Sequence, residues 1–217
     1  MQRKLFKHNF VEPFELTTEN IEGSRYYVLP DGIKLKSVTT VLSEKLDKTA
    51  LFEWKKRVGE VEAAKITAQA SRRGTALHSI AEKYVLNEPD YKKGAMPANI
   101  ASFIDIQQIL DKYVDNIYGV ELPLYSKALK AAGRTDLVAE FDGIRSVIDF
   151  KTSRKTKKKE WIEGYFLQST IYSMMFERLY GIEIPQIAIL ISVDGDQPQT
   201  FVEDRGKYVN RVLEIFA

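Results

Sequence analysis

The chain has 217 residues, 44% of them hydrophobic and 29% charged, which is enough to bury one full core. Its formal net charge of +2 is too small to mark a nucleic-acid binder by itself, so the placement of the basic residues matters more than their number. With no cysteine, disulfides, thiolate zinc sites and cysteine-held iron–sulfur clusters are excluded, and any metal must be held by oxygen or imidazole.

The N-terminal "MQRKLFKHNF" lacks the apolar stretch and cleavage site of a secretory signal, and no run of eighteen apolar residues follows, which predicts a cytoplasmic protein without a membrane partner. "YYVLPDGIKL" (26–35) predicts a hairpin turning at Pro30-Asp31-Gly32. "SVTTVLSEKL" then predicts a first helix capped by Ser37 or Thr39. Helical periodicity continues over about 50–70, 72–87 and 97–118. "GVELPLYSKAL" (119–129) predicts a strand, followed by strands near 133–141 and 145–151 and a long helix over 159–180. "QIAILISVDG" (186–195) has the β-branched apolar run of a buried strand, "QTFVED" adds another, and "DRGKYVNRVLEIF" closes with a helix. This order predicts a single α/β (α+β) domain, with a hairpin and helical layer over 1–118 and an α/β core over 119–217.

The stretch "GRTDLVAEFDGIRSVIDFKTS" (133–153) carries charges where a packed hairpin needs none. Asp142-Gly143 is a strong tight-turn signal, and with those two residues as the loop Phe141 faces Ile144, which sets Asp136 opposite Asp149. Alternation then projects Asp136, Asp149 and Lys151 from one face. Opposed carboxylates repel unless one is protonated or a cation lies between them. A hard divalent ion such as Mg²⁺ takes oxygen ligands, and Lys151 on the same face would stabilise negative charge developing on a scissile phosphate. As a bare motif, Asp-x-Lys is also an ordinary surface ion pair, and wider context has to decide.

That context is a resemblance. "GRTDLVAEFDG" with "VIDFKTS" resembles the catalytic hairpin of the PD-(D/E)XK nuclease superfamily, in the branch similar to the RecB nuclease domain. "RRGTALHSIAEKY" resembles that branch's Gly-x-x-x-His helix and implies His78 as a metal ligand. "QSTIY" resembles its Gln-x-x-x-Tyr motif, which implies Gln168 and Tyr172 at the active site in contact with DNA or orienting the catalytic groups. Glu121 in "VELPLYS" stands where the superfamily often has an acidic residue, and "KSVTTVLS" with "LFEWKKRVG" is similar to a pattern of mitochondrial genome maintenance and phage exonucleases. The implied fold is a restriction-endonuclease-like core, a central mixed sheet flanked by helices. The implied metal site is Asp136, Asp149 and His78 with the carbonyl of Phe150 and Glu121, around one or two Mg²⁺ or Mn²⁺ ions, with Lys151 catalytic. His78 shares its helical face with Gly74, Ala81 and Val85, where a histidine can equally be a hydrogen-bonded core residue, and Tyr172 can equally be packing alone.

"KTSRKTKKK" (151–159) has six Lys or Arg in nine residues and leaves directly from the proposed site. Phosphate contact by Arg154, Lys155, Lys157, Lys158 and Lys159 is expected, with Arg72 and Arg73 adding to that surface and Trp161 or Tyr165 offering stacking if exposed. The resemblance thus implies a metal-dependent DNA exonuclease, of single-stranded DNA or duplex ends, serving repair or recombination, in the host cytoplasm if a phage encodes it. An endonuclease of the same fold and a non-catalytic DNA-binding module are the alternatives.

Overall fold

The computed structural model describes residues 3–217. Strands β1 (Thr17–Ile21), β2 (Ser24–Val28) and β3 (Lys34–Ser37) form an antiparallel meander. Four helices follow, α1 (Val38–Lys45), α2 (Thr49–Val58), α3 (Glu60–Val85) and α4 (Pro97–Tyr113). Next come β4 (Val114–Ser126), β5 (Ala131–Phe141), β6 (Ile144–Ser153), α5 (Glu163–Tyr180), β7 (Gln186–Val193), β8 (Gln199–Asp204) and α6 (Gly206–Phe216). All eight strands join one sheet in the order β1-β2-β3-β5-β6-β7-β8, with β4 along the other edge of β5. The β3–β5 and β6–β7 pairs are parallel and the rest antiparallel, so the sheet is mixed, as the order of elements predicts.

Period-2 alternation sends neighbouring residues to opposite faces, and helices cover both. Val138, Val147 and Ile189 pack under α5 with Phe166, Ile171 and Phe176. Leu137, Ile148 and Leu190 pack under α3 and α4 with Leu77, Tyr84 and Phe103. The β5–β6 turn has Asp142 at φ 53 and Gly143 at φ 76, a two-residue I′ turn, and the register Phe141↔Ile144 to Leu137↔Ile148 is the one that loop dictates.

Several boundaries differ from the sequence reading. The helical break lies at Gly59, with φ 84, and not near residue 71, so α3 is one helix of 26 residues. Helix α4 stops at Tyr113 because Val114 already begins β4, where it pairs with Phe141. Strand β1 has no sequence signature: all five residues are exposed, so it lacks apolar alternation, and its Glu22-Gly23 turn is not one of the strongest hairpin dipeptides. Ser37 is the α1 cap, its hydroxyl accepting from Thr40 N at 3.1 Å.

One topological feature positions the site. β3 pairs with β5 only at Ala131 and Ala132, and β6 only from Leu137 onward. Since β4 occupies the opposite edge, residues 133–136 of β5 have no ladder partner on the edge that β3 and β6 share. β6 is paired with β7 from Ser146 to Ser153, but its pairing with β5 stops at Ile148, and beyond it a gap opens between β5 and β6.

Candidate active site

Asp136 sits in that gap. Its Oδ2 accepts from Phe150 N at 2.8 Å, a side-chain bond in place of the missing ladder bond. The pairs Val120↔Leu137 and Leu122↔Thr135 bracket Glu121 opposite Asp136, and Glu121 takes a left-handed φ of 46. His78 comes from the buried half of α3 and points at both: Nδ1 is 3.3 Å from Asp136 Oδ1 and 4.0 Å from Glu121 Oε1. Its Nε2 lies 2.8 Å from the carbonyl oxygen of Phe150, so that nitrogen carries a proton and donates. One ligand atom from each of His78, Glu121 and Asp136 lies within 4.8 Å of the others.

The electrostatics fit a cation. Burial raises the Glu121 carboxyl to about 7, and the charge of Asp136 adds to the rise. Burial opposes the His78 imidazolium, but the Asp136 hydrogen bond and the charges of Asp136 and Asp149 outweigh it and lift the group to about 9. Burial likewise raises Asp136, yet the His78 bond and charge hold its carboxyl below the ordinary range. Without a metal, protons stand where a divalent ion would bind, and the imidazole and two carboxylates are a donor set that Mn²⁺ accepts readily.

Asp149 lies outside that triplet. Lys151 Nζ straddles its carboxylate, 2.6 Å from Oδ1 and 2.5 Å from Oδ2. Burial pushes Asp149 up to about 6, with Asp136 contributing, while Lys151 opposes the shift. The Lys151 ammonium is also 5.0 Å from the centre of the Tyr165 ring, a cation–π contact that helps to aim it. The Phe150 carbonyl, expected as a ligand, is engaged by His78 here.

Helix α5 brings Gln168 and Tyr172 to the same cavity. Most of its stripe is core, and Tyr172 is itself 4% exposed. Gly133 has a specific role beneath it, because a Cβ there would stand 2.5 Å from the Tyr172 hydroxyl. Gly133→Ala should therefore destabilise the protein by about 1–3 kcal/mol through overpacking. Calorimetric melting checks this, and adding Tyr172→Leu should recover most of the loss.

The cavity, about 550 Å³, has a wall that the sequence reading missed. Thr18, Asn20, Arg25 and Tyr27 of the β1–β2 hairpin line it, with Ser37 and Thr39 at the start of α1 and Arg134 beside Asp136. The signal was weak because β1 is exposed throughout and carries no apolar pattern.

The basic run is partly committed within the fold. Arg73 pairs with Asp194 at 2.5 Å, Arg154 donates to Gln69 at 2.6 Å, and Lys159 pairs with Glu203. Arg72, Lys155 and Lys158 are exposed, and Lys157 is half-buried. Trp161 is 66% exposed with the Lys158 ammonium 5.4 Å from its ring centre, whereas Tyr165 is turned inward over Lys151. Among the described residues no helix is long and apolar enough to cross a membrane.

No family model matches the chain. It is similar to mitochondrial genome maintenance exonuclease 1 of Homo sapiens, 29% identical over 143 residues that cover 63% of this chain and 40% of that protein. The Mus musculus protein of the same name is 29% identical over 130 residues, 57% of this chain and 38% of that one. The chain thus spans well under half the length of these curated relatives. They bear out the resemblance to exonucleases read from the motifs. A crystal structure of an exonuclease candidate from Eubacterium rectale superposes with a TM-score of 0.48 at 15% identity, over 66% of this chain and 63% of that one.

Proposed function

We propose that the protein is a metal-dependent DNA nuclease, and specifically an exonuclease that requires a free end. The observation that carries this reading is the Lys151–Asp149 pair standing beside the His78–Glu121–Asp136 cluster at the unpaired edge of β5. The similarity to proteins named exonucleases supports it.

His78, Glu121 and Asp136 would hold a divalent ion, with Asp149 joining as Lys151 turns toward substrate. When bound, the ion supplies Lewis-acid polarisation of a phosphodiester oxygen and lowers the pKa of water. The chain's own residues do the rest. Glu121, Asp136 and Asp149 gather negative charge at the reacting centre, which a bound cation would offset, while the cations around the cavity hold the strand. Lys151 delivers positive charge to the phosphoryl oxygens as water adds to phosphorus and the leaving sugar oxygen departs. Tyr165 keeps that ammonium aimed, and the Gln168 amide offers a donor and an acceptor on the cavity wall. The solvated cations of the 154–158 segment contact flanking phosphates without reading bases, so little sequence preference is expected.

The test compares end-labelled linear single strands, linear duplexes and covalently closed single-stranded circles, each with Mg²⁺ or Mn²⁺. Linear DNA should be shortened to small products while circles survive, and preference for linear single strands over duplexes is the expected order. Rapid nicking of circles would favour an endonuclease, and no cleavage across the metal series would favour a binding module.

A further inference from the structure

The cavity beside the carboxylates has a second, oppositely charged end that hydrolysis as described above does not use. Strand register explains it: Asn20 pairs with Arg25, Thr18 with Tyr27, and Tyr27 with Leu35. Alternation therefore projects Thr18, Asn20, Arg25 and Tyr27 from one face of the meander, and that face walls the cavity bounded elsewhere by His78, Glu121 and Asp136. Arg134 enters from β5, two residues before Asp136, close enough to Glu121 for its charge to oppose the rise of that carboxyl.

Both guanidinium groups are free. The arginine ion pairs among the described residues are made by Arg73, Arg205 and Arg211, and the arginine side-chain hydrogen bonds by Arg3, Arg73, Arg154 and Arg211. Arg25 and Arg134 belong to neither set, and both are exposed into the cavity. The Asn20 amide adds a further donor on the same wall. A planar fork of N–H donors matches the oxygens of a phosphate, and two such forks on adjoining walls enclose one from two sides. At about 550 Å³ the cavity has the size of a small-ligand site, with room for a nucleotide-sized group.

We infer that Arg25 and Arg134 form a phosphate subsite on the hairpin side of the reacting centre, where they hold a second phosphate of the substrate strand. The inference rests on the nuclease reading and extends it, since it makes the β1–β2 hairpin a substrate-positioning element. The phosphate is either an internal phosphodiester or a terminal phosphate monoester, which offer the same oxygens to the two forks.

The test measures binding of short single-stranded oligonucleotides with chelator present, so that nothing is cleaved. Three probes are compared, carrying a 5′-phosphate, a 3′-phosphate or neither. Arg25→Ala and Arg134→Ala should each weaken binding about tenfold, as expected for a charge-assisted hydrogen bond. Each should also lower the slope of log affinity against log salt by about 1. Arg25→Lys should restore the salt slope while recovering only part of the affinity, because charge returns without the fork. Arg211→Ala, on α6 and away from the cavity, removes the same charge and should change neither quantity. Equal losses on all three probes identify an internal phosphodiester, and losses confined to one end-phosphorylated probe identify that terminal monoester. Wild-type affinity in the Arg25→Ala/Arg134→Ala double variant, with an unchanged melting temperature, would overturn the subsite and leave the nuclease reading standing. Failure of the wild-type protein to bind any of the probes would overturn both.

Discussion

Lys151→Ala should lower the cleavage rate by about 10²–10³-fold while leaving DNA affinity nearly unchanged, since a donor aimed at charge that develops during reaction contributes little before it. The ammonium is one cation among many near the substrate path, so its share of ground-state binding is small. The structure adds a consequence the motif does not convey. Removing Lys151 strips the buried Asp149 carboxylate of the cation that straddles it. Burial already raises that carboxyl to about 6, with Lys151 opposing the shift, so loss of the lysine raises it further. A carboxyl whose folded pKa exceeds its unfolded value destabilises the fold above that unfolded value, where folding must tolerate the charge. The variant should therefore lose more stability at pH 8 than at pH 5, by up to about 3 kcal/mol for a broken buried pair. Single-turnover cleavage, oligonucleotide binding and melting at the two pH values separate these effects. Cleavage at the wild-type rate would remove Lys151 from the chemistry.

Asp136→Asn should abolish most of the thermal stabilisation that Mn²⁺ or Mg²⁺ confers. A ligand present at 100 times its Kd stabilises the native state by about 2.7 kcal/mol. At about 2–4 °C per kcal/mol for a chain of this size, wild type should gain roughly 5–10 °C. Asparagine keeps the oxygen that accepts from Phe150 N, so the fold is preserved while the charge is lost. The pH dependence has a definite sign. In the metal-free protein Glu121 holds a proton up to about 7 and His78 up to about 9, and a cation must displace both. Metal affinity should rise with pH through that window. Calorimetry in buffers of different ionisation enthalpy should show proton release, of about one proton near pH 8 and more below pH 7. In Asp136→Asn the carboxylate that sustains the His78 imidazolium is gone, so its pKa should drop, which NMR titration of the ring checks directly. An equal metal-induced shift in wild type and Asp136→Asn would show that the ion, if bound, lies elsewhere.

The sequence by itself determined the parts of this protein that depend on local chemistry. Asp142-Gly143 dictated the turn, the turn dictated the register out to Leu137↔Ile148, and alternation put Asp136, Asp149 and Lys151 on one side of the hairpin. The Ser37 cap and the apolar run of β7 were legible for the same reason, since each is set by residues within one element. Tertiary structure alone decided the rest. Asp136 and Asp149 were expected as a directly opposed pair, yet the β5–β6 ladder ends at Leu137↔Ile148, while β6 stays paired with β7 from Ser146 to Ser153, a strand more than thirty residues away. The same divergence opens the gap into which α3 delivers His78, 72 residues before the Phe150 carbonyl it meets. Glu121 reaches the cluster from a left-handed backbone conformation, φ 46, that no local pattern announces. β1, and with it the wall it forms with Arg25 of β2, was invisible because an exposed edge strand has no apolar face to set its periodicity, and only its pairing through β2 and β3 onto β5 brings it to the site.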